Sequence, residues 1–459
     1  MTQHKSRHPR EGGDPIFFLL FFAILLLISL PAYAINIQEV VGKKSGVKAW
    51  LVENHKLPVV AMHFAFQGGN EQDPADKQGL AALTTGLLTQ GAGPYDAAAF
   101  QQQLADRSIS IGFSAERDKI SGGLKCLSVD KDTAFDLLRL AITEPRFNAA
   151  DIERQRAQHL SGIRRQFSDP NWQARNALVS QIYARHPYSQ RRLGTLKTLE
   201  SITRDDIQEF AAKHLARATL TVAVAGDMTP DELSAALDKT FVDLPARAQL
   251  TPIADSPEIK KTPTVLVRRD GTQTELLFAM PGPKRSDPDY YAAEVANYVI
   301  GGGGFASRLM QEVRDKKGLT YGISTYLSPA QHGGLIVGGA AVDNPKAAEA
   351  LNTILDALRR FHDEGLTEKE LEAAKDYLTG AMPLALTSTD KIAGLLVSMQ
   401  REKLGRDYLD RYNRLIRSVS KGDIERVLER FFNPDKMTLV MVGKPKSIVP
   451  AQTKDTVKQ

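Results

Sequence analysis

The chain has 459 residues, 42% of them hydrophobic and 25% charged, with a formal net charge of +5. That length accommodates two to four domains of about 100–200 residues, and the balance excludes both a disordered chain and a many-span membrane protein. Basic and acidic residues are interspersed, without the basic block and interleaved aromatics of a nucleic-acid surface, so nucleic acid is excluded as a partner.

In chain order, Lys5, Arg7 and Arg10 precede an apolar run from Ile16 to Leu30, which Ala32-Tyr33-Ala34 closes. The pattern predicts a secretory signal peptide over 1–34 with an A-x-A cleavage site, and hence a periplasmic mature chain carrying about +4. The alternative is an uncleaved membrane anchor, for which about 15 apolar residues are few against the roughly 20 of a bilayer crossing. A β-branched run over Val59–Phe66 predicts a strand, and Leu124, Lys125 and Leu127 predict another around Cys126. Cys126 is the only cysteine, which rules out an intrachain disulfide and a thiolate zinc cluster and leaves an inert buried thiol. Asp151–Phe167 and Lys346–His362 predict helices, and Thr264–Val267 a strand.

An internal repeat organises these elements. Asp136-Leu-Leu-Arg-Leu followed by Phe147–Glu153 is echoed by Asp356-Ala-Leu-Arg-Arg followed by Leu366–Glu372. The run Leu220–Gly226 is echoed by Thr438–Gly443, and both echoes fall at an offset of roughly 217–220 residues. Pro245–Pro263, rich in Pro, Ala, Thr and charge, reads as the linker. Mixed strands and helices with hairpin-like returns predict an α+β fold: two similar domains, each an antiparallel sheet flanked by helices, facing one another across a chamber.

A catalytic zinc needs about three protein ligands, commonly with two His at i, i+4 on a helix. The only such pair, His4 and His8, sits in the leader, while His55, His63, His159, His186, His214, His332 and His362 are scattered singly. No zinc site is legible. Gly69-Asn70-Glu71 and Gly79-Leu80-Ala81 nevertheless resemble the approach to the inverted zinc motif H-x-x-E-H of the pitrilysin, insulinase and mitochondrial processing peptidase family. The resemblance extends through His186-Pro187-Tyr188, Leu193-Gly194-Thr195 and Gly226-Asp227. It places Ala82, Thr85 and Gly86 where the two histidines and the glutamate base stand, Gly162 at the third ligand and Gln155 at the supporting glutamate. Ala and Gly carry no ligating atom, and Thr is no base at neutral pH. The implied site is inactive, and this chain binds no cofactor of its own.

The second copy differs. Val313-Arg314-Asp315-Lys316-Lys317-Gly318-Leu319-Thr320-Tyr321-Gly322 is similar to the family's C-terminal signature, whose Arg and Tyr reach the zinc domain's active site. Arg314 and Tyr321 are thereby implied to bind substrate and polarise its carbonyl in a partner's site. Read locally, the same residues are solvated cations and a Gly318 terminator at an ordinary helix end. Gly301–Gly304 lacks the lysine and spacing of a phosphate loop and reads as a flexible turn between two helices, with a border of the substrate chamber as the weaker alternative.

The expected boundaries are 1–34 signal peptide, 35–245 N-terminal peptidase-like domain, 246–263 linker, 264–450 C-terminal peptidase-like domain and 451–459 tail. The resemblance implies a zinc-less subunit of an exported heterodimeric metallopeptidase, with zinc in an H-x-x-E-H partner and a peptide or unfolded polypeptide as substrate. A structural or assembly protein of the same fold is the alternative. A metal-independent hydrolase lacks support, for there is no G-x-S-x-G.

Overall fold

The computed structural model describes residues 35–260, 262–446, 448 and 452–455, so the leader and most of 447–459 lie outside the described residues. The apolar runs build two six-stranded sheets. The first comprises β1 (Gln38–Val41), β2 (Lys48–Glu53), β3 (Val59–Gln67), β4 (Ser110–Ala115), β5 (Lys119–Leu127) and β6 (Leu220–Gly226), in the order β1-β2-β6-β3-β5-β4. The second comprises β7 (Val265–Arg268), β8 (Gln273–Pro281), β9 (Thr320–Ala330), β10 (Gly333–Asp343), β11 (Thr438–Gly443) and β12 (Gln452–Asp455), in the order β12-β7-β11-β8-β10-β9. Five positions correspond one for one, so the echoed runs Leu220–Gly226 and Thr438–Gly443 are the same interior strand of each sheet. The sixth position is filled differently. β1 runs antiparallel to β2, whereas β12, inside the segment assigned to the tail, runs parallel to β7.

The sheets are mixed rather than antiparallel throughout. β6 returns late in the chain and inserts between β2 and β3; pairing antiparallel with β3 makes it parallel to β2. β11 repeats this between β7 and β8. Both inserted strands read as continuous apolar runs because both their faces are covered: residues 222–226 and 438–443 are buried throughout.

What covers the second face corrects the expected chamber. The helix Thr389–Arg401 of the second half packs on β3 and β6, and the helix Pro170–Tyr183 of the first half packs on β8 and β11. These helices occupy equivalent places in the repeat, so each half lends the other the same element. His63 Nε2 meets Asp390 Oδ1 at 2.9 Å and Gln400 donates to the Val222 carbonyl at 2.8 Å across this contact. Ala174, Leu178 and Ile182 share one buried cluster with Val265, Leu277, Val440 and Val442. A larger core, with Phe64, Phe66, Phe100, Phe135 and Phe241, fills the other side of the first sheet.

The hairpin tips of the two sheets also meet. The Tyr188 hydroxyl donates to Asp118 at 2.5 Å and accepts from the His332 N–H at 2.9 Å, while Gln331 N–H donates to the other Asp118 oxygen at 3.0 Å. The linker is irregular but held, with Thr251 bonded to Gln72, the Ala254 carbonyl to His186, and Ser256 to the His332 carbonyl. Cys126 lies on β5, and burial pushes its thiol up to about 12.

Candidate functional site

The helix Leu80–Leu87 carries three of the four positions that the resemblance aligns with the metal site. It starts at Gly79, whose φ of +95° and missing side chain leave the first N–H groups without a local cap. Asp73 supplies the cap instead, accepting from Gly79 N–H at 2.8 Å and Ala81 N–H at 2.9 Å. Close approach explains the glycines: a Cβ on Gly79 would lie 2.6 Å from the Leu193 carbonyl oxygen, and one on Gly194 2.0 Å from that of Gln78. Gly79-Leu80-Ala81 and Leu193-Gly194-Thr195 are thus one interlocked joint. Glu71, also buried, accepts from Gly69 N–H at 2.8 Å. Burial pushes both carboxyls up to about 7, against the backbone donors that hold them ionised.

Ala82 and Thr85 are buried, and the Thr85 hydroxyl donates to its own helix, to the carbonyls of Ala81 (2.9 Å) and Ala82 (3.1 Å). The helix Ala149–Ser168 packs alongside and brings Gln155 over Gly86, where an added Cβ would lie 2.6 Å from its amide nitrogen. Gly162 is more open, an added Cβ meeting only Leu193 at 3.4 Å and Arg165 at 3.9 Å. The positions therefore come together on two packed helices, but their side chains do not fit zinc. Ala and Gly offer no donor, the Thr85 hydroxyl is spent, and an amide fills the space beside Gly86. Among the described residues no group of three or more His, Cys, Asp or Glu is placed to hold a metal.

One residue of this site escaped sequence reasoning. His159, read as one of the scattered histidines, lies four residues after Gln155 and three before Gly162, on the same helix face. Gln155 Nε2 lies 3.3 Å from His159 Nε2, which assigns the ring proton to Nδ1; that nitrogen is buried without a partner among the described residues. Burial and the Arg192 charge hold the imidazole down at about 4, so it is neutral at pH 7. The 155, 159, 162 spacing was its available signal.

Arg314 and Tyr321 line one open cavity of about 400 Å³ with Asp315, Thr320, Asp343 and Lys346. Arg314 is the penultimate residue of a π-helical turn, Met310–Asp315, and Tyr321 is the second residue of the edge strand β9. Gly318, at φ +59°, terminates the turn as expected, donating to the Arg314 carbonyl at 2.8 Å. The guanidinium lies 4.6 Å from the Phe305 ring centroid and 3.3 Å from Asp315 Oδ1. Tyr321 is 91% exposed.

The glycine run is not simply a flexible turn. A Cβ on Gly301 would lie 2.4 Å from Thr325 Oγ1, and on Gly302 2.6 Å from Asn297 Nδ2, while Thr325 Oγ1 donates to Asn297 at 2.7 Å. The run is close-packed against β9, and it presents Phe305 to Arg314.

The duplicated α+β fold, with Ala, Thr and Gly at the positions that the resemblance aligns with metal ligands, is that of an inactive peptidase homologue. The chain belongs to peptidase family M16: residues 48–196 match the insulinase (peptidase family M16) domain and 201–378 the peptidase M16 inactive domain. It is 27% identical over 369 residues to the non-peptidase homolog YmxG of Helicobacter pylori, covering 80% of this chain and 84% of that one. An uncharacterized zinc protease of Streptomyces coelicolor is 29% identical over 271 residues, 58% of this chain and 59% of the relative. The solved peptidase M16 inactive domain from Pseudomonas fluorescens superposes with a TM-score of 0.83 at 29% identity, over 90% of this chain and 98% of that one.

Proposed function

We propose that this inactive M16 homologue is the zinc-less partner subunit of an exported heterodimeric metallopeptidase, presenting Arg314 and Tyr321 to the zinc site of a homologous H-x-x-E-H chain. The observation that carries this reading is that Tyr321 is unspent. Tyr321 is 91% exposed and its hydroxyl has no partner among the described residues, while the Arg314 guanidinium is held by the Phe305 ring and its neighbour Asp315. The Tyr321 side chain stabilises nothing inside its own chain and is available to another. A permanently charged fork and a phenol in one cavity suit a peptide carbonyl and its developing oxyanion. Beside them β9 offers an 11-residue edge to which an unfolded peptide adds as a strand. Zinc belongs to the partner, because the residues at this chain's own metal positions cannot ligate it. Export rests on the leader pattern of residues 1–34; among the described residues no helix is long and apolar enough to cross a membrane.

The test is to mix each variant with the zinc-bearing chain and follow peptide cleavage beside a pull-down. Tyr321→Phe is expected to lower turnover on the order of a hundredfold, roughly 3 kcal/mol, with dimerisation intact, and Arg314→Ala to cost at least as much. Full activity from both variants would leave an assembly role as the better account. Metal analysis of the chain alone is expected to find no stoichiometric zinc, and one tightly held ion per chain would overturn the assignment of zinc to the partner.

A further inference from the structure

A second, larger cavity, of about 650 Å³, opens where the two halves meet. Its walls are cationic. Arg117 comes from the turn between β4 and β5, Arg401 is the last residue of the helix Thr389–Arg401, and Lys403 follows it. Among the described residues none of these three has an ion-pair partner. Arg117 lies over the rings of Tyr188 (4.7 Å) and Tyr183 (5.6 Å), which hold it in place without neutralising it. Two other lining cations are paired, Lys119 with Glu116 at 3.3 Å and Lys284 with Asp255 at 2.6 Å, while Arg285, likewise without an ion-pair partner among the described residues, donates to the Tyr408 hydroxyl at 2.8 Å inside a tyrosine cage. Of the three lining acids, Glu116 pairs with Lys119, Asp118 accepts neutral hydrogen bonds from Tyr188 and Gln331, and Glu402 alone has no side-chain partner among the described residues, so six cations face three carboxylates.

The helix end fixes where the third cation stands. Lys403 stands at φ +54°, just past the helix end, in the left-handed region where glycine is the unstrained choice. Leu404 N–H bonds back to the Met399 carbonyl at 2.9 Å, the usual closure of a helix end, and this turn sets the Lys403 charge at the cavity mouth.

We propose that this cavity binds a small anion carrying at least two phosphate or carboxylate groups, gripped by Arg117 from the first half and by Arg401 and Lys403 from the second. Guanidinium forks match both oxyanion geometries bidentately, and the volume lies within the range of small-ligand sites. A ligand bridging the halves binds only the folded chain and therefore raises its unfolding midpoint by linkage. This inference is independent of the peptide reading, which uses a different cavity.

The mature chain is titrated calorimetrically with inorganic pyrophosphate and, separately, with citrate, at constant ionic strength held by sodium chloride. Saturable binding of about one anion per chain is expected, with a rise in unfolding midpoint that sodium chloride alone does not give. Arg401→Ala is expected to weaken binding about tenfold or more. Glu402→Gln, which removes the opposing charge, is expected to tighten it. Lys403→Gly is the sharpest variant, expected to weaken binding while leaving the unliganded midpoint unchanged or raised, a combination that a merely structural lysine does not produce. Binding of pyrophosphate alone assigns the phosphate class, of citrate alone the carboxylate class, and of both the shared chemistry. Failure of both anions to saturate by about 10 mM, or equal binding by wild type, Arg401→Ala and Lys403→Gly, overturns the proposal.

Discussion

His159 is where chemistry and stability meet at a single residue. Its imidazole is held neutral, at about 4 against an ordinary 6.5, so its contribution to stability is fully present above about 6.5 and is lost as pH falls toward 4. A depression of that size amounts to roughly 3 kcal/mol. Glu71 and Asp73 act in the opposite sense, because raised carboxyls favour the folded state at low pH and lose that contribution as pH rises through about 7. A comparison with His159→Leu cancels their share. Urea midpoints at pH 7.5 and 4.5 are expected to show the variant gaining on wild type by on the order of 2–3 kcal/mol at the lower pH; a gap that does not change with pH would show that the imidazole is not held neutral. Tyr321→Phe, by contrast, is expected to leave the urea midpoint within about 0.5 kcal/mol of wild type, since an exposed side chain touching nothing has little to lose.

Among the helices, Gly162 of the first half and Gly301 of the glycine run make a useful contrast. Gly162 sits inside the helix Ala149–Ser168 with space for a methyl group, so Gly162→Ala is expected to stabilise by about 0.5–1 kcal/mol through helix propensity alone. Gly301 has no such space, and Gly301→Ala drives a methyl into Thr325 and is expected to cost about 1–3 kcal/mol. Thermal or urea unfolding of the two variants settles both, and equal effects would contradict the packing described. Asp73 behaves as a remote cap, so Asp73→Ala is expected to cost about 1–2 kcal/mol, the usual loss for an N-cap, although it lies seven residues before the helix begins.

Across the whole molecule, the exchange of helices makes the halves interdependent. Without the helix Thr389–Arg401, the buried apolar faces of β3 and β6 lie open, and without Pro170–Tyr183 so do those of β8 and β11. Residues 35–245 and 246–459 made separately are expected to be aggregation-prone, and made together to copurify as a folded pair, with the native near-ultraviolet dichroism returning only on mixing. Cooperative unfolding of the first fragment by itself, at a midpoint near that of the full chain, would show that the crossing helix is dispensable.

The duplication was legible in the sequence, because β6 and β11 need unbroken apolar runs and the repeat preserves them at one offset. The lack of ligating atoms at Ala82, Gly86 and Gly162 is likewise a property of the sequence, and the family match supports the inactive homologue it implies. Resemblance singled out Arg314 and Tyr321, but that they line one cavity, and that Tyr321 is exposed, was not legible. Tertiary structure alone decided the rest. Strand direction depends on which neighbours a late strand inserts between, and hydrophobic pattern is blind to that choice, so the parallel pairs went unseen. The crossing helices carry the same apolar faces whichever sheet they cover. The glycine run looked flexible because a missing Cβ reads alike whether it frees the backbone or admits a neighbour. His159 and the cationic cavity assemble from residues far apart in the chain, and only the meeting of elements gives their charges and unpaired atoms a common place.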